Sequence, residues 1–152
     1  MPEGWTILYV DEDNSFLQEA KRFSLQHSTD LHHPTGAVIV KGNEIIGYGA
    51  NCATFKQKWF TRLHGKGACL RKWLKVKSGT KYWVCPGCVT NKNHAEASAV
   101  RDATNKYGTQ KVKGADLYLW GHWWCCKPCF DSIISAGIIN VYLMKGSEKV
   151  FK

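Results

Sequence analysis

The sequence predicts an α/β fold, a mixed sheet with helices packed on it, and three observations point there. An apolar run, Gly36-Ala37-Val38-Ile39-Val40, turns at Lys41-Gly42-Asn43 and returns as Glu44-Ile45-Ile46-Gly47-Tyr48-Gly49, the pattern of a β-hairpin. Two further apolar runs, Asp116-Leu117-Tyr118-Leu119-Trp120 and Ile138-Ile139-Asn140-Val141-Tyr142-Leu143, alternate with helical patterns, so part of the sheet is expected to be parallel. The chain has 152 residues, 44% of them hydrophobic, which suits one domain (residues 1–152) able to bury its own core.

Asn14 and Ser15 suit the N-cap of a helix reaching about His27, with Phe16, Leu17, Ala20, Phe23 and Leu25 roughly along its buried face. The hairpin follows. Residues 53–93 are polar, basic and too long for an unsupported loop, so something must hold them. A helix from His94 to about Lys106 then presents Ala95, Ala97, Ala99, Val100 and Ala103. The turn Lys113-Gly114 leads into the strand ending at Trp120, and a helix over residues 127–136 turns Phe130, Ile133 and Ile134 inward. After the last strand, Lys145-Gly146-Ser147 permits a short hairpin back to Lys149-Val150-Phe151.

No internal repeat or low-complexity tract is apparent. Met1-Pro2-Glu3-Gly4-Trp5 is not the start of a signal peptide, and no apolar run has membrane-spanning length, so a cytoplasmic protein without membrane contact is expected. Seven cysteines, an odd number, argue against a disulfide framework and leave metal or redox sites as the use of the C-x-x-C pairs. The formal charge is +9, and five thiolates on two zinc ions would leave it at roughly +8. Such a surface favours anionic ligands, either a small nucleotide or a nucleic acid, and the small nucleotide is the favoured partner.

The chemistry concentrates in His94-Ala95-Glu96 and Cys126-Lys127-Pro128-Cys129. One imidazole and two thiolates give Zn²⁺ three ligands and leave a fourth position for water, the arrangement of a catalytic zinc. Zinc brings the pKa of such a water to about 7, and Glu96 is placed to carry its proton. Alone, H-x-E reads as a surface histidine beside a solvated glutamate, and C-x-x-C as a redox pair or half of a structural site. Both ligand sets fall at expected helix starts, where unpaired N–H groups favour thiolate. Asn51, at the end of the second hairpin strand, either reaches a sugar hydroxyl or is a turn asparagine. Trp120, His122, Trp123 and Trp124 precede the cysteine pair at the expected pocket mouth, where one or two rings can stack on a base.

A second set, His64, Cys69, Cys85 and Cys88, lies within residues 53–93. Four ligands with no open position describe a structural zinc, which would supply the support that this segment needs. Cys52 is the rival for a ligand place, and Cys125 is expected to pack beside the first site.

H-x-E followed by C-x-x-C is the pattern of zinc-dependent nucleobase deaminases. Together with Gly36-Ala37-Val38-Ile39-Val40, Gly47-Tyr48-Gly49-Ala50-Asn51, Gly67-Ala68-Cys69-Leu70-Arg71, Ser78-Gly79-Thr80, Cys85, Asp116-Leu117-Tyr118 and the stretch from Cys126 to Ala136-Gly137-Ile138, it resembles the cytidine and deoxycytidylate deaminase superfamily. The Cys69-to-Cys85 insertion is most similar to the deoxycytidylate (dCMP) branch. The resemblance implies a three-layer α/β/α sandwich of the cytidine deaminase type with a zinc-stapled insertion. It also implies zinc on His94, Cys126 and Cys129, proton shuttling by Glu96, sugar binding by Asn51, and assembly into homo-oligomers. Three departures stand out. Cys125 replaces the proline usual before the first cysteine, and Asn51-Cys52-Ala53-Thr54 replaces Asn-Gly-x-Pro. Residues 144–152 are also too few for the extra helix and parallel fifth strand typical of that branch.

The expected activity is therefore hydrolytic deamination of a cytosine nucleotide, dCMP to dUMP with release of ammonia. Its rivals are a deaminase of polynucleotide bases (tRNA adenosine or single-stranded cytosine), a deaminase of free nucleosides or bases, and a non-catalytic zinc module that binds nucleic acid. Glu96 weighs against the last, since a scaffold has no need of a carboxylate beside an open zinc position.

Overall fold

The computed structural model describes residues 7–77 and 80–151, so Met1 to Trp5 of the opening and Ser78-Gly79 of the insertion lie outside the described residues. In chain order the elements are β1 (Ile7–Val10), α1 (Ser15–His27), β2 (Gly36–Lys41), β3 (Glu44–Ala50), α2 (Lys58–Gly65), α3 (Leu70–Trp73), α4 (Ala95–Tyr107), α5 (Thr109–Val112), β4 (Asp116–Trp120), α6 (Lys127–Ser135), β5 (Asn140–Met144) and α7 (Ser147–Phe151). Single 3-10 turns occupy Tyr82–Val84 and Asn91–Asn93. Among the described residues no helix is long and apolar enough to cross a membrane.

Five strands form one mixed sheet in the order β1-β5-β4-β2-β3. β1, β5 and β4 run parallel, and β2 is antiparallel to both β4 and β3. Strand residues alternate between faces. Val38 and Val40 therefore join Tyr118 and Trp120 beneath Leu17 and Ala20 of α1. Ala37, Ile39, Leu117 and Leu119 face the other way, against Ala99 and Ala103 of α4 and Phe130 and Ile133 of α6. The result is the expected three-layer α/β/α sandwich.

Asn14 caps α1 as the sequence suggests, its side chain accepting from the Phe16 and Leu17 amides at 3.1 Å. Leu25 departs from expectation and is 65% exposed. The buried stripe runs Leu17, Ala20, Ser24, following the helical period, and the Ser24 hydroxyl is satisfied by the Lys21 carbonyl at 2.7 Å.

Two differences arise at the sheet edge. The sequence reading assigns no strand before Asn14, yet β1 pairs in parallel with β5 from Ile7↔Val141 to Val10↔Met144. It is the fifth strand of the sheet and lies at its edge, parallel to β5. The Lys145 amide donates to the Val10 carbonyl at 2.8 Å, and the Lys145 ammonium pairs with Asp11 at 2.8 Å. With both edges of β5 occupied, the expected hairpin back to Phe151 has no strand to pair with. The segment forms α7 instead, and Phe151 packs edge-on against Trp120 with ring centroids 5.2 Å apart.

Candidate active site

The site begins with a close approach of α4 to β3. Ala95, Ala99 and Ala103 recur every fourth residue, so they form one stripe of small side chains on α4. The stripe lies on Gly47 and Gly49. A Cβ at Gly47 would stand 2.6 Å from Ala103 Cβ, and one at Gly49 would collide with the Ala95 carbonyl and the Ala99 amide. Only glycine lets the helix sit this low. The approach sets the first turn of α4, and with it His94 and Glu96, against the end of the sheet.

His94 is the N-cap residue of α4 and Cys126 that of α6, with Pro128 in the first turn of α6. Pro is tolerated there because a first-turn N–H has no intrahelical acceptor. The two helix starts bring three donor atoms together. His94 Nδ1 lies 3.6 Å from Cys126 Sγ and 3.5 Å from Cys129 Sγ, and the two sulfurs are 3.4 Å apart. Zn–S bonds of about 2.3 Å and Zn–N bonds of about 2.0–2.1 Å make tetrahedral edges of roughly 3.8 Å between sulfurs and 3.6 Å from sulfur to nitrogen. The two sulfur–nitrogen edges match such an ion, and the sulfur–sulfur edge is about 0.4 Å shorter than it needs. Hydrogen bonding with Cys129 and His94 pulls the Cys126 thiol down to about 4, so one ligand is readily a thiolate.

The second group also forms. Cys69 Sγ lies 3.7 Å from Cys88 Sγ and 4.0 Å from Cys85 Sγ, and Cys88 Sγ is 3.6 Å from His64 Nε2. All four donor atoms fall within 4.8 Å of one another. They could hold a second ion with no position left open, and burial pushes the Cys88 thiol up to about 12, a cost that a bound cation offsets. All seven cysteines are free of disulfides. Cys52 stays outside both groups, its thiol donating to the His27 carbonyl.

Glu96 is 4% exposed, and burial holds its carboxyl above the usual carboxylate range. Cys125 is wholly buried, and burial followed by the nearby Glu96 charge holds its thiol well above the ordinary value. It is a packing neighbour of the glutamate, in line with the sequence reading.

Both donor groups open on one cleft of about 860 Å³. His94, Glu96 and Cys126 lie along part of it, and His64, Cys69 and Cys88 along another. Asn51 lines the cleft too, but its carboxamide is largely engaged. Oδ1 accepts from the Thr35 amide at 2.9 Å and the Ser28 hydroxyl at 2.5 Å, and Nδ2 donates to the His33 carbonyl at 3.0 Å. It pins the 28–35 loop to the end of β3, the role of a turn asparagine, with one N–H remaining.

The aromatic residues before the cysteine pair lie in different surroundings. His122 lines the cleft, whereas Trp120 and Trp123 are not among its walls. Trp120 points to the α1 face, under Lys21 at 4.4 Å and beside Phe151, because it shares strand parity with Tyr118. Trp123 stacks with His122 at 6.1 Å. Among the described residues, Trp124 is the tryptophan along the cleft. Of the basic residues at 56–81, which the sequence offers for a phosphate without saying which face the pocket, Arg71 and Lys72 line the cleft; sequence reasoning missed His32 and His33 of the 28–35 loop, which line it too. That loop has a local signal in Asp30, whose Oδ1 accepts from the His32 and His33 amides at 3.0 Å, an Asx turn.

Residues 10–145 match the family described as the cytidine and deoxycytidylate deaminase zinc-binding region. A search of curated proteins finds no match. Among solved structures, the fold is similar to dCMP deaminase from the cyanophage S-TIM5 in apo form. That likeness has a TM-score of 0.51 and 23% identity and covers 90% of this chain and 86% of that one. The same cyanophage enzyme in complex with dCMP and dUMP gives a TM-score of 0.52 at 20% identity, covering 85% and 79%. Guanine deaminase from Bacillus subtilis gives 0.51 at 20% identity, covering 92% and 71%. With the family matched over most of its length and the histidine and cysteine donors gathered at two helix starts, this chain belongs to the cytidine and deoxycytidylate deaminase family and is a zinc-dependent deaminase.

Proposed function

We propose that the protein hydrolyses the exocyclic amine of a cytosine nucleotide, converting dCMP to dUMP with release of ammonia. The observation that carries this reading is the placement of Glu96, buried at the first turn of α4, on the same cleft wall as His94 and Cys126. His94, Cys126 and Cys129 would hold the catalytic zinc, which when bound would supply an activated water as nucleophile. The Glu96 carboxylate would take one proton from the attacking water and pass it to the ring nitrogen, then take the second from the hydroxyl now on the ring carbon and give it to the departing amine. Water adds its oxygen to the ring carbon and the amino group leaves as ammonia, so atoms and charge balance.

The remaining cleft residues bind and orient. Arg71 and Lys72 offer cationic groups to a phosphate, and His122 and Trp124 offer ring faces to a base. The free N–H of Asn51 is left to meet a sugar oxygen. His64, Cys69, Cys85 and Cys88 hold a second, structural zinc, so the chain carries two ions in a single deaminase domain. The dCMP- and dUMP-bound cyanophage relative supports a nucleotide of this kind. A cytoplasmic homo-oligomer completes the reading.

The test is ammonia release over dCMP, CMP, deoxycytidine, cytosine, guanine, adenosine and a single-stranded oligonucleotide. Highest kcat/KM on dCMP is the expected result. Faster release from guanine or from the oligonucleotide would overturn the substrate assignment.

A further inference from the structure

Ten of the 21 lysines and arginines lie in residues 53–93, a stretch with no aspartate or glutamate, so outside it the remaining 11 basic residues are outnumbered by 12 acids. The positive charge of the protein is thus the charge of the insertion. Arg71 is half-buried and the other nine basic groups are exposed. Among the described residues none of the ten forms an ion pair. Crowding like charges without counter-charges works against the compact state, and of the ten only Arg71 and Lys72 line the cleft where a nucleotide phosphate would be met.

The same segment exposes large rings. Trp59 on α2 is 62% exposed, Trp73 on α3 is 68%, and Trp83 in the 3-10 turn is 77%. They ride on a segment whose four metal-donor residues are gathered in one place, so the rings are held on a supported platform. Phe60 sits between Trp59, at 5.6 Å, and His64, at 6.4 Å. The platform continues into the deaminase cleft, because Arg71, Lys72 and Tyr82 belong to the insertion and line the cleft.

We infer that the insertion is a docking surface for a single-stranded polynucleotide, whose phosphates meet the lysines and arginines and whose unpaired bases stack on the exposed tryptophans. Cationic tracks interleaved with aromatic faces are how proteins hold single strands without reading sequence. A duplex hides its base faces, so it offers the tryptophans nothing to stack on. A second copy of the chain would bring like charge against like. An anionic membrane surface calls for one amphipathic helix lying in plane, whereas these rings come from three separate short elements. The inference goes beyond the nucleotide reading and does not require the polymer to be the substrate.

Fluorescence anisotropy with the full-length zinc-loaded protein tests it without turnover, so a failure of the deaminase reading would not register here. The probes are a labelled single strand of about twenty nucleotides, as DNA and as RNA, its duplex, and phosphatidylserine vesicles, a length spanning one or more typical single-strand sites. Binding of either single strand ahead of the duplex is expected. Trp73→Ala with Trp83→Ala should weaken it roughly 5- to 150-fold per stacking ring removed. Lys58→Glu with Lys75→Glu should flatten the plot of log affinity against log salt by about 0.7 for each phosphate that is no longer neutralised. Both variants should keep wild-type zinc content and dCMP turnover, since these side chains lie outside the cleft wall. No single-strand binding at low salt, unchanged binding in both variants, or preference for vesicles would each overturn the proposal.

Discussion

Gly49→Ala puts one methyl group between β3 and α4, and the structure gives the size of the disturbance. The new Cβ would stand 3.0 Å from Ala99 Cα and closer still to the Ala95 carbonyl and Ala99 amide. The carbonyl and amide contacts are the closest, and restoring them to an ordinary separation of about 3.3 Å moves the helix about 1 Å away from the sheet. The colliding atoms are backbone, so no rotamer change relieves them. Overpacking of this kind costs about 1–3 kcal/mol, and a chain of 152 residues loses about 2–4 °C of Tm per kcal/mol, so Tm should fall by about 2–12 °C. The same shift carries His94 and Glu96 away from Cys126 and Cys129. A misplacement near 1 Å can cost about 10²-fold in rate, so kcat/KM should drop by between about 10- and 100-fold. Thermal melts, zinc content and ammonia release are the measurements. Gly42→Ala is the control, since its φ of +57° disfavours alanine but nothing lies within 4 Å of the added carbon. It should lose about 1–2 kcal/mol through backbone strain and keep full turnover. If Gly49→Ala melts and turns over like wild type, the close seat of α4 does not position the site.

Glu96→Gln should keep fold and zinc but lose at least about 10²-fold in rate, the lower range for removing an acid–base group. Near-normal turnover by the zinc-loaded variant would remove Glu96 from the mechanism. Elemental analysis of wild type should give close to two zinc ions per chain. Cys85→Ser should lower both zinc content and Tm, and a ratio of one with an unchanged Cys85→Ser variant would reject the structural ion. Asn14→Ala removes the α1 cap and should cost about 1 kcal/mol, or about 2–4 °C, with kcat/KM unchanged. A stability equal to wild type would show that its bonds to Phe16 and Leu17 add nothing net.

The local pattern sufficed wherever a segment's partners are near in sequence or its chemistry is carried by spacing. The β2–β3 hairpin needs only its Lys41-Gly42-Asn43 turn and two apolar runs. His94 and the Cys126/Cys129 pair point to a candidate metal site because few other arrangements place those donors at two helix starts, and the cysteine spacing of the insertion does the same for His64, Cys69, Cys85 and Cys88. Other features had no local signature. β1 is four residues long and becomes a strand only because β5, more than a hundred residues later, offers it an open parallel edge. Its arrival is also what turns residues 147–151 from a returning strand into a helix. Strand alternation separates Trp120 from Leu119, but only the packing of α1 on one face and α4 on the other decides that Trp120 points away from the cleft while Trp124 reaches it. The carboxamide of Asn51 is drawn to Ser28, His33 and Thr35 because the 28–35 loop returns past the end of β3. The sequence by itself determined the elements with strong periodicity and pointed to the two groups of candidate metal donors, both properties of neighbouring residues. The tertiary structure decided strand order, which face each ring occupies, and the joining of two donor groups in one cleft, since these depend on distant segments competing for the same edge or surface.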